Sequence, residues 1–299
     1  MSDPNLGTVT GVEDANPRVS IVIPCRDSGE TLGAQLAALE GQLENPTAEV
    51  VVADNGSTDD TRQVVEAFSK RGVKASLIDA SRAPGINVAR NVGVCASVGE
   101  LILLCDADDL VSEGWVAAYW RAYETGARLV GGQLIHIDSG GNLLRREPTG
   151  LNTHLGYLPW PQGANCGFAR SVYDEIGGFD ERYKGGGDET DFFWRAQISG
   201  YELEFVSEAS VRYTSRPSVI SAWRQHASYG RSEVELFRAY GDTGMPRSSV
   251  CAALYFWLPL PVRLVYAVLR PSGRLKLVGR LARHSARVRT SLRLRTLYV

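Results

Sequence analysis

Three carboxylates, Asp106, Asp108 and Asp109, follow directly on the apolar run Leu101 to Cys105. Carboxylates packed this closely repel one another, and a hard divalent cation with oxygen-rich ligands relieves the repulsion. Magnesium or manganese, which keeps waters and shares a substrate's phosphates, is the expected cation. A solvated acidic turn that merely ends a strand would carry the same residues. A second acidic cluster, Asp188, Glu189 and Asp191, opens a predicted helix. There it complements the helix dipole, and Asp188 can serve as an N-cap. Asp188 and Asp191 fall on one helix face, with Glu189 rotated about 100° away, so the adjacent pair cannot reach one spot together.

The first cluster needs a buried strand behind it. Leu101 to Cys105 suits a strand covered on both faces of a parallel sheet, and ligands of open α/β sheets bind beyond the carboxyl ends of the strands. Upstream, Arg18 to Pro24, Glu49 to Ala53 and Lys74 to Ile78 read as strands. They alternate with helices over Glu30 to Gly41, around Val64 to Phe68, and over Asn87 to Ser97. Asn55-Gly56 marks a tight turn, and Ser57 or Thr58 is placed to cap the second helix. The alternation predicts right-handed βαβ units and a mainly parallel sheet. Further on, a helix is expected from Trp115 to Thr125, a strand from Arg128 to Ile137 and a hairpin turn at Asp138 to Asn142. Thr149 to Gly163 is a Gly-, Pro- and aromatic-rich stretch, either an ordered loop over a site or a surface connection. Helices near Ser171 to Ile176 and Glu189 to Ser199 complete the body.

The chain has 299 residues and a formal net charge of -2, which hides a division. No acidic residue follows Asp242, whereas Arg247 and every charged residue from Arg263 onward are basic. An acidic body with a basic tail points to an anionic partner for the tail. Cys251 to Leu269 is nearly all apolar but is interrupted by Pro259, Pro261 and Arg263, a poor membrane span. Gly273 to Val299 then fits a basic amphipathic helix in a membrane interface, or a helical pair packed on the body or on a second subunit. Met1 to Pro17 is polar with no apolar core, so no secretory signal is expected and the body is placed in the cytoplasm. The five cysteines have no metal-type spacing and are expected reduced and buried.

Several motifs stand in one order: Val-Ser-Ile-Val-Ile-Pro at 19 to 24, Asp-Asn-Gly-Ser-Thr-Asp-Asp-Thr at 54 to 61, and Ala-Arg-Asn-Val-Gly at 89 to 93. Asp-Ala-Asp-Asp follows at 106 to 109, Gly-Gly-Phe-Asp-Glu at 177 to 181, and Gly-Asp-Glu-Thr-Asp-Phe-Phe-Trp-Arg at 187 to 195. This ordered set resembles the family 2 glycosyltransferases of GT-A fold, over residues 18 to 240. The resemblance implies a Rossmann-like, mainly parallel mixed sheet flanked by helices, here with a helical basic extension over 241 to 299. It implies an inverting transfer of a sugar from a nucleotide diphosphate, most simply a UDP-sugar, to a glycan or lipid-linked acceptor. In its terms Pro24 lies under the base, Asp54 reads the base and Arg90 stands near the phosphates. Asp106 contacts the ribose and Asp108 ligates the cation, with Asp106 beside it.

Two departures from the family pattern stand out. Counting back from Arg195, Asp188 occupies the usual Glu position and Glu189 the usual Asp position. The resemblance therefore puts the catalytic base at Glu189, one methylene longer than the common residue. Many relatives complete the metal shell with a histidine near Val211-Arg212-Tyr213; this chain has Arg212, and His226 is the nearest histidine. A nucleotidyltransferase would show a glycine- and basic-rich phosphate loop early on, which Pro24 to Glu30 lacks. A non-catalytic glycan- or lipid-binding subunit would not need both carboxylate clusters. The expected setting is cytoplasmic, peripheral on the inner face of the membrane, with a homodimer possible and nucleic acid not expected.

Overall fold

The computed structural model describes residues 16–138, 141–146, 150–214, 218–269 and 273–298. Most of the polar amino-terminal segment and part of the 138–142 turn lie outside the described residues. The chain begins with three parallel strands, β1 (Val19–Cys25), β2 (Ala48–Asp54) and β3 (Ala75–Asp79), alternating with α1 (Gly29–Glu40), α2 (Thr61–Ser69) and α3 (Ile86–Ala96). β4 (Leu101–Cys105) pairs parallel with β1. After β5 (Leu110–Val111) and α4 (Trp115–Glu124) come β6 (Leu129–Ile137), β7 (Leu143–Arg146), β8 (Asn165–Ala169), α5 (Arg170–Ile176), α6 (Asp188–Ile198) and β9 (Leu203–Thr214). The sheet order is β3-β2-β1-β4-β8-β6-β9-β5, with β7 paired to β6. β8 runs antiparallel between β4 and β6, while β6 and β9 are parallel.

The two sheet faces follow the period of two in the strands. Val19, Ile21 and Ile23 face one core with Leu32, Leu36 and Leu39 of α1 and Trp115 of α4. Val22, Ile102 and Leu104 face the other with Phe168, Phe192 and Trp194. Between β8 and the shifted register of β6 on β9, buried Asn165 uses all its capacity. It accepts from Trp115 Nε1 and Tyr119 Oη (both 2.7 Å) and donates to the Gln133 and Ala209 carbonyls (3.0 and 2.9 Å). A half-satisfied amide there would cost more than an apolar residue, so this network fixes the irregular register.

The body is followed by α7 (Val219–Tyr240), α8 (Val250–Trp257), α9 (Leu260–Leu269) and α10 (Arg274–Leu294). Pro259 falls between α8 and α9, but Pro261 sits in the first turn of α9, where a missing N–H costs nothing. Among the described residues no helix is long and apolar enough to cross a membrane. α10 lies along α7. A Cβ on Gly230 would run into the Arg283 carbonyl, and one on Gly279 into the His226 ring. Buried Glu233 accepts from both Arg283 and Arg287, and Glu235 pairs with Arg293 at 3.2 Å. Several arginines that the sequence left unopposed are thus answered by α7.

Two smaller expectations are corrected. Ser57 and Thr58 do not cap α2, which starts at Thr61; the Asp59 carboxylate accepts from the Thr61 amide, and Ser57 and Thr58 bond to Asp27. All five cysteines are free, but Cys95 and Cys251 are exposed rather than buried.

Candidate active site

The loops at the carboxyl ends of β1, β2 and β4 enclose a cleft of about 480 Å³ lined by Pro24 to Ser28, Asn55, Gly85, Ile86, Ala89 and Asp106 to Asp108. Local turns set its shape. The Ser57 amide donates to Asp54 Oδ1 (2.8 Å), and Asn55 donates to the Ala80 and Ala83 carbonyls while accepting from the Gly85 amide. Asp54 therefore stands at the end of β2 with one carboxylate oxygen tied to its own turn. Gly85, at φ 151°, brings the first turn of α3 to the cleft.

At the end of β4, ligand atoms of Asp106, Asp108 and Asp109 lie within 4.8 Å of one another. Burial raises the Asp106 carboxyl to about 6; Arg90 pulls against it, and the charges of Asp108 and Asp188 push with it. Part of that rise comes from the neighbouring charge of Asp108, and three carboxylates gathered this closely form a donor set that suits a hard divalent cation. Asp106 and Asp108 face the cleft, whereas Asp109 is buried. Arg212 is exposed on β9, opposite Leu110 of β5, the second residue after Asp108. His226 belongs to a different wall.

A second, wider cleft of about 850 Å³ shares Ile86 and Asp106 with the first. Its lining includes Arg90, Asp188, Glu189, Trp160, Tyr213 and Tyr229. The stretch before β8 contributes Asn152, His154 and Trp160, an ordered wall closed by the Asn152–Trp160 bridge. Three successive glycines at positive φ, Gly185 to Gly187, turn the chain into α6; a Cβ on Gly187 would meet the Ser232 side chain of α7 at 2.9 Å. That close approach places Asp188 and Glu189 at the cleft.

Contrary to the helical-face expectation, Asp188 and Glu189 share the wide cleft while Asp191 lies apart from it. Asp188, buried, accepts from Arg90 Nη1 at 2.6 Å, and Arg90 is 2 % exposed. Asp191 is not a cleft residue: it accepts from Arg195 Nε (2.9 Å) and from the Tyr240 hydroxyl (2.6 Å). Glu189 lines the cleft and takes no part in either pairing. Burial lifts its carboxyl from 4.5 to about 8, the Asp188 charge adds to the rise, and Arg90 opposes it. Gly163 lies against both groups, since a Cβ there would meet Arg90 Nη2 at 2.5 Å and Glu189 Cδ at 3.5 Å.

The remaining motif residues hold this arrangement together. Gly93 lets α3 close on the sheet, as a Cβ would meet Val22 at 2.5 Å. Asn91 exchanges hydrogen bonds with the backbone of Phe179, and Asn87 donates to the Asp180 carbonyl. Arg195 donates to the Ile176 and Gly178 carbonyls. Three motifs far apart in sequence thus fix Arg90 against Asp188. The sequence did not reveal His136, His154, Tyr213, Tyr229 and Arg283 as cleft residues; they come from segments with no shared local signature.

The family profile described as Glycosyl transferase family 2 matches residues 20–178, and one described as Glycosyl transferase family group 2 matches residues 101–279. Glycosyltransferase AglE of Haloferax volcanii is 27% identical over 210 residues, which cover 67% of this chain and 68% of that one. The mannosyltransferase PcManGT of Pyrobaculum calidifontis, solved with GDP-Man and Mn2+, superposes with a TM-score of 0.62 at 17% identity, covering 93% of this chain and 88% of that one. S. aureus TarS 1-349 with UDP-GlcNAc gives 0.57 at 17% identity, covering 94% and 93%; against a longer TarS chain the match spans only 43% of that chain. At such identities the superpositions establish the GT-A fold alone. The profile match over more than half of the chain establishes the rest: this protein belongs to glycosyltransferase family 2.

Proposed function

We propose that the enzyme transfers a sugar from a nucleotide diphosphate, a UDP-sugar first among candidates, to an acceptor hydroxyl with inversion at the anomeric carbon. The observation that carries this reading is the meeting of two clefts at Asp106, one bearing the carboxylate cluster and the other Glu189. The narrow cleft suits the nucleotide, with Pro24 at the base end, Asp106 at the ribose and the first turn of α3 offering its positive dipole end to phosphate; Asp54 stands at the end of β2 beside Asn55, which lines that cleft, without lining it itself. Asp108, with Asp106, would hold Mg2+ or Mn2+, which when bound neutralises the departing diphosphate. The wide cleft suits the acceptor.

Glu189 is the base. It takes the proton from the acceptor hydroxyl as that oxygen bonds to the anomeric carbon. The bond to the diphosphate oxygen breaks on the opposite face, and the diphosphate leaves with the electron pair. A carboxyl raised by burial holds that proton more firmly than a solvent-exposed one, and Arg90 keeps part of it ionised near neutral pH. Asp188, occupied by Arg90, positions the first turn of α6, and Asp191 is a structural residue. A screen of nucleotide sugars read by released nucleotide diphosphate tests the reading, with Asp108→Asn and Glu189→Gln as controls. Unchanged turnover in either folded variant refutes the corresponding role.

The reading extends to polysaccharide or lipid-linked glycan synthesis at the inner face of the cytoplasmic membrane, the chain bound peripherally through its basic carboxyl-terminal helices. Leu254 and Tyr255 on α8, Leu258 just after it, and Val262 and Val265 on α9 are at least half exposed, and Arg274, Lys276 and Arg280 on the following α10 are exposed as well. An apolar strip with flanking cations suits an anionic bilayer surface, where each basic residue adds about 1 kcal/mol. Because α10 packs on α7, truncation after Asp242 would expose α7 and is a poor test. Flotation with anionic vesicles of the Leu254→Asp, Leu258→Asp double variant is the cleaner one; undiminished binding refutes the assignment.

A further inference from the structure

The wall of the wide cleft formed by α7 and α10 has a composition that neither base catalysis nor donor binding uses. Arg283 of α10, His226 and Glu233 of α7, and His154 of the facing 150–163 segment all line it. Two guanidiniums, Arg283 and Arg287, converge on the one carboxylate of Glu233, leaving a surplus positive charge. Glu233 stays ionised: burial pushes its carboxyl up, but the two arginines outweigh that and hold it low. Arg283 also acts on both histidines, which burial and its charge together keep neutral near physiological pH.

Donors outnumber acceptors in this corner. Arg283 gives Nη2 to Glu233, yet its Nε is buried with no hydrogen-bond partner, as is His226 Nδ1. The Cδ2–Nε2 edge of His226 rests against Gly279, so its Nδ1 side is turned away from α10. Neutral sugar hydroxyls would ask for acceptors as well as donors, and the carboxylate available is already shared by two arginines. A guanidinium fork with imidazole N–H groups matches an oxyanion.

We propose that this corner is an anion subsite for the acceptor, in which Arg283 with His226 and His154 holds a phosphate or carboxylate group. The assignment to the acceptor rests on the transfer reading above, but binding of the anion does not. It gives the carboxyl-terminal helix a direct part in substrate selection: α10 supplies the arginine, and the ion pairs to Glu233 set where that arginine stands.

The test uses the full chain, inorganic phosphate and EDTA, which keeps the carboxylate cluster free of cations that would recruit phosphate there. NMR of the histidine ring protons, assigned by single His→Gln variants, follows His136, His154, His226 and His284. A bound anion stabilises imidazolium, so phosphate should raise the titration midpoints of His154 and His226 by about half a pH unit or more and leave His136 in place. Arg283→Met should weaken phosphate about tenfold. His226→Gln, which leaves the ion pairs intact, should weaken it about threefold. Methyl phosphate and glucuronate distinguish a phosphate-bearing from a uronate-bearing acceptor, according to which binds more tightly. The subsite is overturned if phosphate leaves His154 and His226 unmoved, moves His136 equally, or binds folded Arg283→Met and His226→Gln as it binds the wild type. Failure here leaves the transfer reading intact, while a donor screen in which no nucleotide sugar yields released nucleotide diphosphate would overturn transfer without touching this result.

Discussion

Glu189→Gln should lower activity and raise stability together. Between pH 4.5 and about 8 the folded chain holds a proton on Glu189 that the unfolded chain has released. The folded state binds more protons over that window, so wild-type stability falls as pH rises through it. Each pH unit of full imbalance is worth about 1.4 kcal/mol, a ceiling of about 5 kcal/mol across the window. Relaxation of the cleft and the linked charge of Asp188 reduce this to on the order of 2 kcal/mol. The amide that replaces the carboxyl has no proton to titrate and keeps the shape of the side chain. The variant should therefore match the wild type near pH 4.5 and melt about 4 °C higher at pH 8, while its turnover drops about a hundredfold or more. Thermal melts at both pH values, without donor or cation, give the first quantity; diphosphate release under saturating donor gives the second. Wild-type turnover should itself climb with pH as Glu189 ionises. Equal melting temperatures at pH 8 would show that Glu189 is not held in a charge-averse site. Near-normal turnover of Glu189→Gln, with Asp188→Asn inactive, would move the base to Asp188.

Arg90→Met strands a buried carboxylate at Asp188 and should cost about 3–5 kcal/mol in urea unfolding; a loss below about 1 kcal/mol would show that the pair is not needed. Asp108→Asn should weaken Mn2+ binding about tenfold or more, followed by electron paramagnetic resonance of free Mn2+, with the melting temperature unchanged; wild-type affinity would remove Asp108 from the ion. Asp191→Asn loses its charge-assisted bonds to Arg195 and Tyr240 and should cost about 1–3 kcal/mol of stability while keeping turnover per folded molecule. A folded variant that is as stable as the wild type but inactive would place Asp191 in the chemistry.

The βαβ order of the first hundred residues was legible because each strand is a short apolar run and each helix shows its own period. Those signals are local: Leu101–Cys105 reads as a buried strand wherever it sits in the sheet. The carboxylate cluster was legible for the same reason, since Asp106, Asp108 and Asp109 are neighbours in the chain and stay neighbours in space. The antiparallel entry of β8 between β4 and β6 was not legible, because strand order depends on pairings across more than 30 residues, fixed here by the four hydrogen bonds of Asn165.

The sequence by itself determined the inventory of chemical groups but not how α6 shares them out: Asp188 and Glu189, expected to point apart, both line the wide cleft, and Asp191, expected beside Asp188, lies outside it on Arg195 and Tyr240. Tertiary structure decided what each group faces. Arg90 and Asp188 are 98 residues apart and meet because α3, the 177–181 turn and α6 are tied together through Asn87, Asn91 and Arg195. The basic tail shows the same division. Its charge is plain in the sequence, but a charge has no fixed partner until packing supplies one. Glu233 and Glu235 on α7 lie about 50 residues from the arginines they hold, and only the parallel run of α7 and α10 brings them into contact.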